Sequence, residues 1–378
     1  MDNNPKIEPL SIYIHIPFCR RKCGYCDFLS FCDMEDIYEP YVEALCRDIA
    51  TSAVNFTDYQ VVTVFFGGGT PTVLAAAQLG RILEAVKDNY ALAEGASIST
   101  EANPETVDME YLVDLRQMGF NRISFGVQSF EDTMLANIDR IHTGEKAIEA
   151  VKQAAAAGFD DINIDLIFAL PHQSISDFEK SLEIAPSLPI THISCYALTV
   201  EEGTPLAQNC KLMGAIPDET ADRAMYHMAT EKLVAAGFGH YEISNWAKPG
   251  RECLHNIGYW TGREYMGFGI GAHSLVKNSR FCKTDNLEEY IGGDFATIHL
   301  EDISRREAMA EFVILGLRLI DGIDAHGFKK GFDQDIFGVF GGQIKRFEQE
   351  GLLAISGDNI RLTKKGLDLP NLIFSEFL

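Results

Sequence analysis

Between residues 11 and about 200 the chain alternates two periodicities. Short runs rich in β-branched and aromatic residues fall at 12–16, 61–66, 97–101, 122–126, 162–167 and 192–196. Between them, apolar residues recur at three- and four-residue spacing over 38–53, 77–89, 108–118, 145–157 and 176–184. The first pattern predicts strands and the second amphipathic helices. Gly119–Phe120, Gly158–Phe159 and Gly237–Phe238 each follow a helical stretch. Glycine there suits a left-handed cap, with the aromatic packed beneath the helix end. Six strand–helix units in succession predict an α/β fold with a parallel sheet. Eight would close a full barrel, so six predict an incomplete (β/α)6 TIM-like barrel, with a doubly wound open sheet as the alternative.

After about residue 215 the alternation fades. Residues 245–274 (NWAKPGRECLHNIGYWTGREYMGFGIGAHS) are rich in glycine, aromatics and polar groups, and read as ordered functional loops. From about 303 the pattern changes again: a helix over 307–317 precedes GGQIKRFEQEGLLAISGDNIRLTKKG, which reads as helix, strand, turn, strand. That order predicts a small winged-helix-like α+β unit. The expected division is therefore 1–215 for the partial barrel, 216–302 for a connecting region and 303–378 for the C-terminal domain.

Composition narrows the function. With 55 acidic against 32 basic residues the net charge is −23, which works against sequence-independent nucleic-acid binding. Even the wing-like segment 301–378 carries 13 acidic and 10 basic residues, so DNA is not its expected partner. Apolar runs such as VVTVFF are too short to span a bilayer, and MDNNPKIEPLS lacks a basic and then apolar leader. A cytoplasmic location with no integral membrane segment is the expectation. Nine irregularly spaced cysteines fit reduced thiols with one local ligand cluster better than a disulfide framework.

That cluster is HIPFCRRKCGYCDF, which places Cys19, Cys23 and Cys26 in one loop after the first predicted strand. Structural zinc wants four ligands, usually as paired knuckles, and only Cys32 lies near enough in sequence to be a fourth. A cubane iron–sulfur cluster held by three thiolates leaves one iron open to a chelating ligand. The other strand ends are chemically rich too. The second runs into GGGTPT, where successive glycines permit close backbone approach to a ligand. The third ends in Glu101, Gln128 follows the fourth, and Asp165 interrupts the fifth. Each alone could be a satisfied core hydrogen bond; together with the thiols they point to a polar cofactor pocket at the carboxyl ends of the strands.

The C-x3-C-x2-C loop after the first strand and the GGTP turn after the second resemble the radical S-adenosylmethionine superfamily. YIHIPFC, FFGGGTPT, EANPE, RISFGVQSF and NIDLIFALPHQS are similar to its oxygen-independent coproporphyrinogen III oxidase-like (HemN/HemW) group, over nearly the whole chain. The resemblance implies a [4Fe–4S] cluster on Cys19, Cys23 and Cys26, with S-adenosylmethionine chelating the open iron. It implies that Tyr13, Gly68 and Glu101 hold that molecule, and that Tyr25, Gly69, Thr70, Gln128, Arg140, Asp165 and Ala197 surround a second. No catalytic residue is assigned. The oxidases carry a fourth cysteine two residues past the third, where this chain has Phe28; it carries instead HNIGYW (His255–Trp260), similar to the H-N-x-x-Y-W signature of the HemW branch.

Membership of that branch implies a haem chaperone, with haem or a related tetrapyrrole, a haem-acceptor protein and an electron donor such as flavodoxin or ferredoxin as partners. The alternatives are coproporphyrinogen oxidation and another radical reaction on a tetrapyrrole. His255 is the candidate axial ligand, against its reading as a hydrogen-bonded loop histidine; Cys253 is a second candidate. Arg20, Arg21 and Lys22 would meet haem propionates or an electron donor, or form a solvated basic face.

Overall fold

The computed structural model describes residues 7–378. Six parallel strands lie side by side in chain order: β1 (Glu8–Ile16), β2 (Tyr59–Gly68), β3 (Leu92–Ala102), β4 (Arg122–Gln128), β5 (Ile162–Phe168) and β6 (His192–Ala197). A doubly wound sheet, the alternative, would reverse its order at a switch point; this one does not, and the expected incomplete (β/α)6 arrangement holds. The intervening helices are α1 (Tyr38–Ser52), α2 (Ala76–Asn89), α3 (Met109–Met118), α4 (Gly144–Ala156) and α5 (Ile175–Ile184). The anticipated caps form: Gly119, Gly158 and Gly237 have φ of 107°, 96° and 84°, and the phenylalanine after each is buried.

The two-residue period of the strands separates two environments. On β1, Leu10, Ile12, Ile14 and Ile16 are fully buried in the main core, while Ser11, Tyr13 and His15 occupy the alternate positions. On β4 and β5, Ile123, Phe125, Val127, Ile162, Ile164, Leu166 and Phe168 join that core. Arg122, Ser124, Gly126, Gln128, Asn163 and Asp165 line a cavity on the other face. The sheet is thus apolar toward its helices and polar inside.

The stretch 245–274, expected to be loops, is largely regular. It supplies β8 (Asn245–Ala247), α7 (Leu254–Trp260), β9 (Tyr265–Phe268) and β10 (His273–Val276). Strand β9 pairs in parallel with β1; β10, β11 (Ser279–Lys283) and β12 (Thr297–Asp302) follow antiparallel, while β8 and β7 (Gly239–Glu242) extend the opposite edge. The result is one twelve-stranded sheet among the described residues. Helix α6 (Glu219–Ala235) precedes β7 and packs against α5. Met225, Trp246, Phe268 and Tyr290 are buried in the same core as the barrel.

A second core runs from Met309 to Phe377. It is built by α8 (Arg305–Gly316), α9 (Ala325–Phe332) and α10 (Ile336–Gln349) against β13 (Ile323–Asp324), β14 (Leu353–Ser356) and β15 (Asn359–Leu362). β14 and β15 pair antiparallel around the expected SGDN turn, and α11 (Lys364–Leu367) follows. Among the described residues no helix is long and apolar enough to cross a membrane.

Candidate cofactor site

A cavity of about 570 Å³ opens on the polar face of the sheet. Cys19, Cys23, Cys26, Tyr13, Tyr25, Gly68, Gly69, Thr70, Glu101, Gln128, Arg140, Asp165, Ala197 and His255 all line it. Residues picked from six different strand ends therefore meet in one space.

The cysteine loop is tied down at its base. Cys19 N donates to Phe31 O at 2.9 Å and Phe31 N to Pro17 O at 2.7 Å. Cys26 N donates to Cys23 O at 3.2 Å, making the tight turn that C-x2-C spacing needs. Burial pushes the Cys19 and Cys26 thiols above their usual range. At Cys19 the Thr70 hydroxyl opposes this, its Oγ1 lying 3.6 Å from Sγ, and Arg140 Nη1 lies 3.4 Å from Cys23 Sγ. Among the described residues no three His, Cys, Asp or Glu side chains converge on one point as ligands of a single ion must. Thiols that bind different irons of a cluster need not converge in that way. Soft sulfur donors, a cationic neighbour and open cavity space fit an iron–sulfur cluster.

The glycine turn sits tight against this loop. Gly68 has φ of 110°, and a Cβ there would lie 2.5 Å from the His15 ring. A Cβ on Gly69 would meet Phe18 O at 2.6 Å and Phe18 N at 2.9 Å. Gly69 N bonds Ile16 O at 2.9 Å and Thr70 N bonds Phe18 O at 2.7 Å, so turn and loop are one unit. His15 Nε2–H donates to Leu29 O at 3.0 Å, leaving Nδ1 to accept from the Tyr13 hydroxyl at 3.0 Å.

Glu101 accepts from Gly68 N at 3.2 Å; burial, then the nearby Asp165, pushes its carboxyl up to about 8. Asp165 is likewise raised by burial, although Asn163 (2.8 Å) and Ser124 (3.2 Å) donate to it. The Arg140 guanidinium reaches Asn103 Oδ1 at 2.7 Å and the Gly126 carbonyl. Gln128 has φ of 63°, a left-handed backbone that costs a non-glycine residue energy and turns the strand end inward.

Several lining residues escaped the sequence reading. Arg122 is buried against Asp161 at 2.5 Å. Asn163 Oδ1 lies 2.6 Å from His192 Nδ1, His192 Nε2 lies 2.8 Å from the Tyr241 hydroxyl, and that hydroxyl accepts from Cys253 N at 3.2 Å. The available signal was alternation: polar residues at 122 and 124, 163 and 165, and 192 and 194 mark one face of consecutive strands.

His255 is 2% exposed, with both ring nitrogens engaged: Nδ1 with Thr63 Oγ1 at 2.8 Å and Nε2 with the Tyr259 hydroxyl at 3.0 Å. Its ring stacks on Phe65 at 5.0 Å, and burial lowers its pKa to about 3. This is the geometry of the hydrogen-bonded alternative, a neutral imidazole built into one wall. Trp260 lies under the Arg318 guanidinium at 4.3 Å, joining α7 to the C-terminal segment. Arg20 donates to Glu105 O, Arg21 pairs with Asp139 and Lys22 donates to Phe28 O, so all three basic side chains brace the loop. Phe28 lines the cavity while remaining 64% exposed.

Residues 13–185 match the model of the radical SAM superfamily, and 303–369 that of the HemN C-terminal domain. The chain is 34% identical to the heme chaperone HemW of Bacillus subtilis, covering 97% of this chain and 99% of that one. It is also 34% identical to the heme chaperone HemW of Escherichia coli, covering 99% of both. Among solved structures, the coproporphyrinogen III oxidase HemN of Escherichia coli superposes with a TM-score of 0.87 at 25% identity, over all of this chain and 91% of that one.

Proposed function

We propose that this chain, which belongs to the HemW family of the radical SAM superfamily, binds haem and passes it to an acceptor protein. Cys19, Cys23 and Cys26 would hold a [4Fe–4S] cluster, and Tyr13, Gly68 and Glu101 the S-adenosylmethionine on its open iron. Tyr25, Gly69, Thr70, Gln128, Arg140, Asp165 and Ala197 would border a second such molecule. Cluster and S-adenosylmethionine together supply one-electron chemistry, with the electron drawn from a donor such as flavodoxin or ferredoxin.

The chain's own groups do the positioning. Gly68 and Gly69 let the backbone approach the ligand, Glu101 presents a carboxyl beside the Gly68 amide, and Arg140 keeps cationic charge next to Cys23. The apolar face behind each strand keeps water to the cavity side. His255 serves the wall rather than the haem iron, since both its nitrogens are already bonded.

The observation that separates this reading from coproporphyrinogen oxidation is Phe28, at the mouth of the same cavity, where the oxidases place another cysteine. The test is anaerobic reconstitution followed by parallel assays. Haem uptake and transfer without formation of protoporphyrinogen is the expected result. Turnover of coproporphyrinogen at a useful rate would overturn it.

A further inference from the structure

Asn103 follows the last residue of β3 and precedes Pro104. The residue before a proline is held in extended backbone, and Asn103 has φ of −98° and ψ of 144°. Its carbonyl accepts from Thr106 N at 3.0 Å and from Thr106 Oγ1 at 2.8 Å. The same turn is tied to the cysteine loop, because Arg20, next to Cys19, donates to Glu105 O at 2.8 Å. The main chain at Asn103 is thus fixed on both sides, and its side chain lines the large cavity.

There the amide serves two donors at once. Oδ1 accepts from Arg140 Nη2 at 2.7 Å, and Nδ2 donates to Thr70 Oγ1 at 3.1 Å. Each of those groups then reaches a sulfur: Arg140 Nη1 lies 3.4 Å from Cys23 Sγ, and Thr70 Oγ1 lies 3.6 Å from Cys19 Sγ. The proton count fixes the direction of the chain. A guanidinium only donates, so the amide oxygen faces Arg140 and the NH2 faces Thr70; a hydroxyl that accepts from the NH2 keeps its own proton for the sulfur. Gly126 leaves the room for this, since a Cβ there would lie 3.0 Å from Arg140 Nη2 and 3.1 Å from Asn103 Oδ1. Among the described residues Asn103 is the one side chain hydrogen-bonded to both donors.

We infer that Asn103 is a positioning residue for the cluster: by holding Thr70 and Arg140 on two of the three cysteine sulfurs, it sets the reduction potential. Reduction adds negative charge to an iron–sulfur cluster, and hydrogen bonds to its sulfurs stabilise that charge and raise the potential. The bond from a guanidinium is the stronger kind. Without the amide, the Arg140 guanidinium keeps only the Gly126 carbonyl as an anchor, and the Thr70 hydroxyl has nothing to turn its proton toward Cys19. The inference rests on the cluster assignment above and deepens it by naming the group that tunes the cluster.

The test is potentiometry of the full-length, anaerobically reconstituted protein without S-adenosylmethionine, followed by electron paramagnetic resonance. In Asn103→Leu the ratio of reduced to oxidised cluster at a fixed potential falls roughly tenfold, a midpoint about 59 mV more negative for a one-electron couple. Asn103→Ala, which adds no bulk, shifts it the same way. Thr70→Val alone gives a smaller shift, and Asn103→Leu added to it shifts the midpoint by less than in the wild-type background, because one of the two donors is already gone. Iron per chain and melting of the metal-free protein follow the fold separately. A wild-type midpoint in the clusters that both Asn103 variants retain, or shifts that add in full to that of Thr70→Val, would overturn the inference and leave the cluster assignment standing. Loss of the metal-free fold together with the cluster in both variants would reduce Asn103 to a packing role and overturn it as well. Failure of the wild type to take up a cluster would overturn both the inference and the assignment.

Discussion

Replacing Gly69 by alanine puts the sharpest single strain on the proposed cluster site. The added methyl would sit 2.6 Å from Phe18 O, 2.9 Å from Phe18 N and 3.0 Å from Ile16 O. All three are backbone atoms, so no rotamer change relieves the contact and β1 must part from the turn after β2. Forced overpacking of this kind costs about 1–3 kcal/mol. Loosening the two hydrogen bonds that join turn and loop adds about 1 kcal/mol each. A total of roughly 3–5 kcal/mol does not exceed the 5–15 kcal/mol typical of a folded domain, so the folded state is weakened rather than abolished. The displaced segment is the one that carries Cys19. The assay is iron and sulfide per chain after anaerobic reconstitution, beside urea denaturation of the metal-free protein. Gly69→Ala is expected to lower both the iron retained and the denaturation midpoint. Gly342→Ala is the control: it lies inside α10 with nothing within 4 Å of its Cβ, and should raise stability by about 0.5–1 kcal/mol. Full iron content and an unchanged midpoint in Gly69→Ala would refute the claim that turn and cysteine loop are one unit.

Three further outcomes follow from the same structure. Lys283→Met leaves Asp48 buried and unpaired where a 2.7 Å ion pair stood, costing about 3–5 kcal/mol by chemical denaturation; Asp48→Asn added to it recovers much of the loss, and equal instability of single and double variants would refute the pairing argument. Glu101, pushed up to about 8 from an ordinary 4.5, holds a proton in the folded chain that the unfolded chain lacks between those values, so the ligand-free protein loses stability as pH rises through that window; Glu101→Gln should flatten the dependence, and an unchanged pH profile of melting would count against it. Arg140→Ala removes the cation beside Cys23 and strands the Gly126 carbonyl and Asn103, so it should lose about 1–3 kcal/mol and retain less iron, and iron retention equal to wild type would deny Arg140 its role.

Much of the barrel was legible because its signals are local. Strands of six or more residues with aliphatic alternation, and helices closed by Gly-Phe, impose their periods on the sequence. The strand ends were legible for a related reason: a glycine run, a lone carboxylate or a cysteine cluster breaks an apolar run just where a parallel sheet exposes its rim. The region after 215 was not, since β8, β9 and β10 span only three or four residues, too few to display a two-residue period, and owe their pairing to neighbours distant in the chain. The inward chain from Asp165 through Asn163 and His192 to Tyr241 was missed because its members lie 29 and 49 residues apart and meet only through the register of β5, β6 and β7. His255 shows the limit of motif reading. Its neighbours Tyr259 and Trp260 look like a ligand-binding surface in sequence, yet the fold spends the Tyr259 hydroxyl on the histidine itself and sets Trp260 against Arg318.

The central claim is that three thiols share one cavity with a bound small molecule at the fourth corner of their cluster. Electron paramagnetic resonance of the dithionite-reduced, reconstituted protein, with and without S-adenosylmethionine, tests it most directly. A clear change of the cluster signal on addition in the wild type, with loss of both cluster and response in Cys23→Ala, is the predicted result. A wild-type signal indifferent to S-adenosylmethionine, or a full cluster retained in Cys23→Ala, would contradict it.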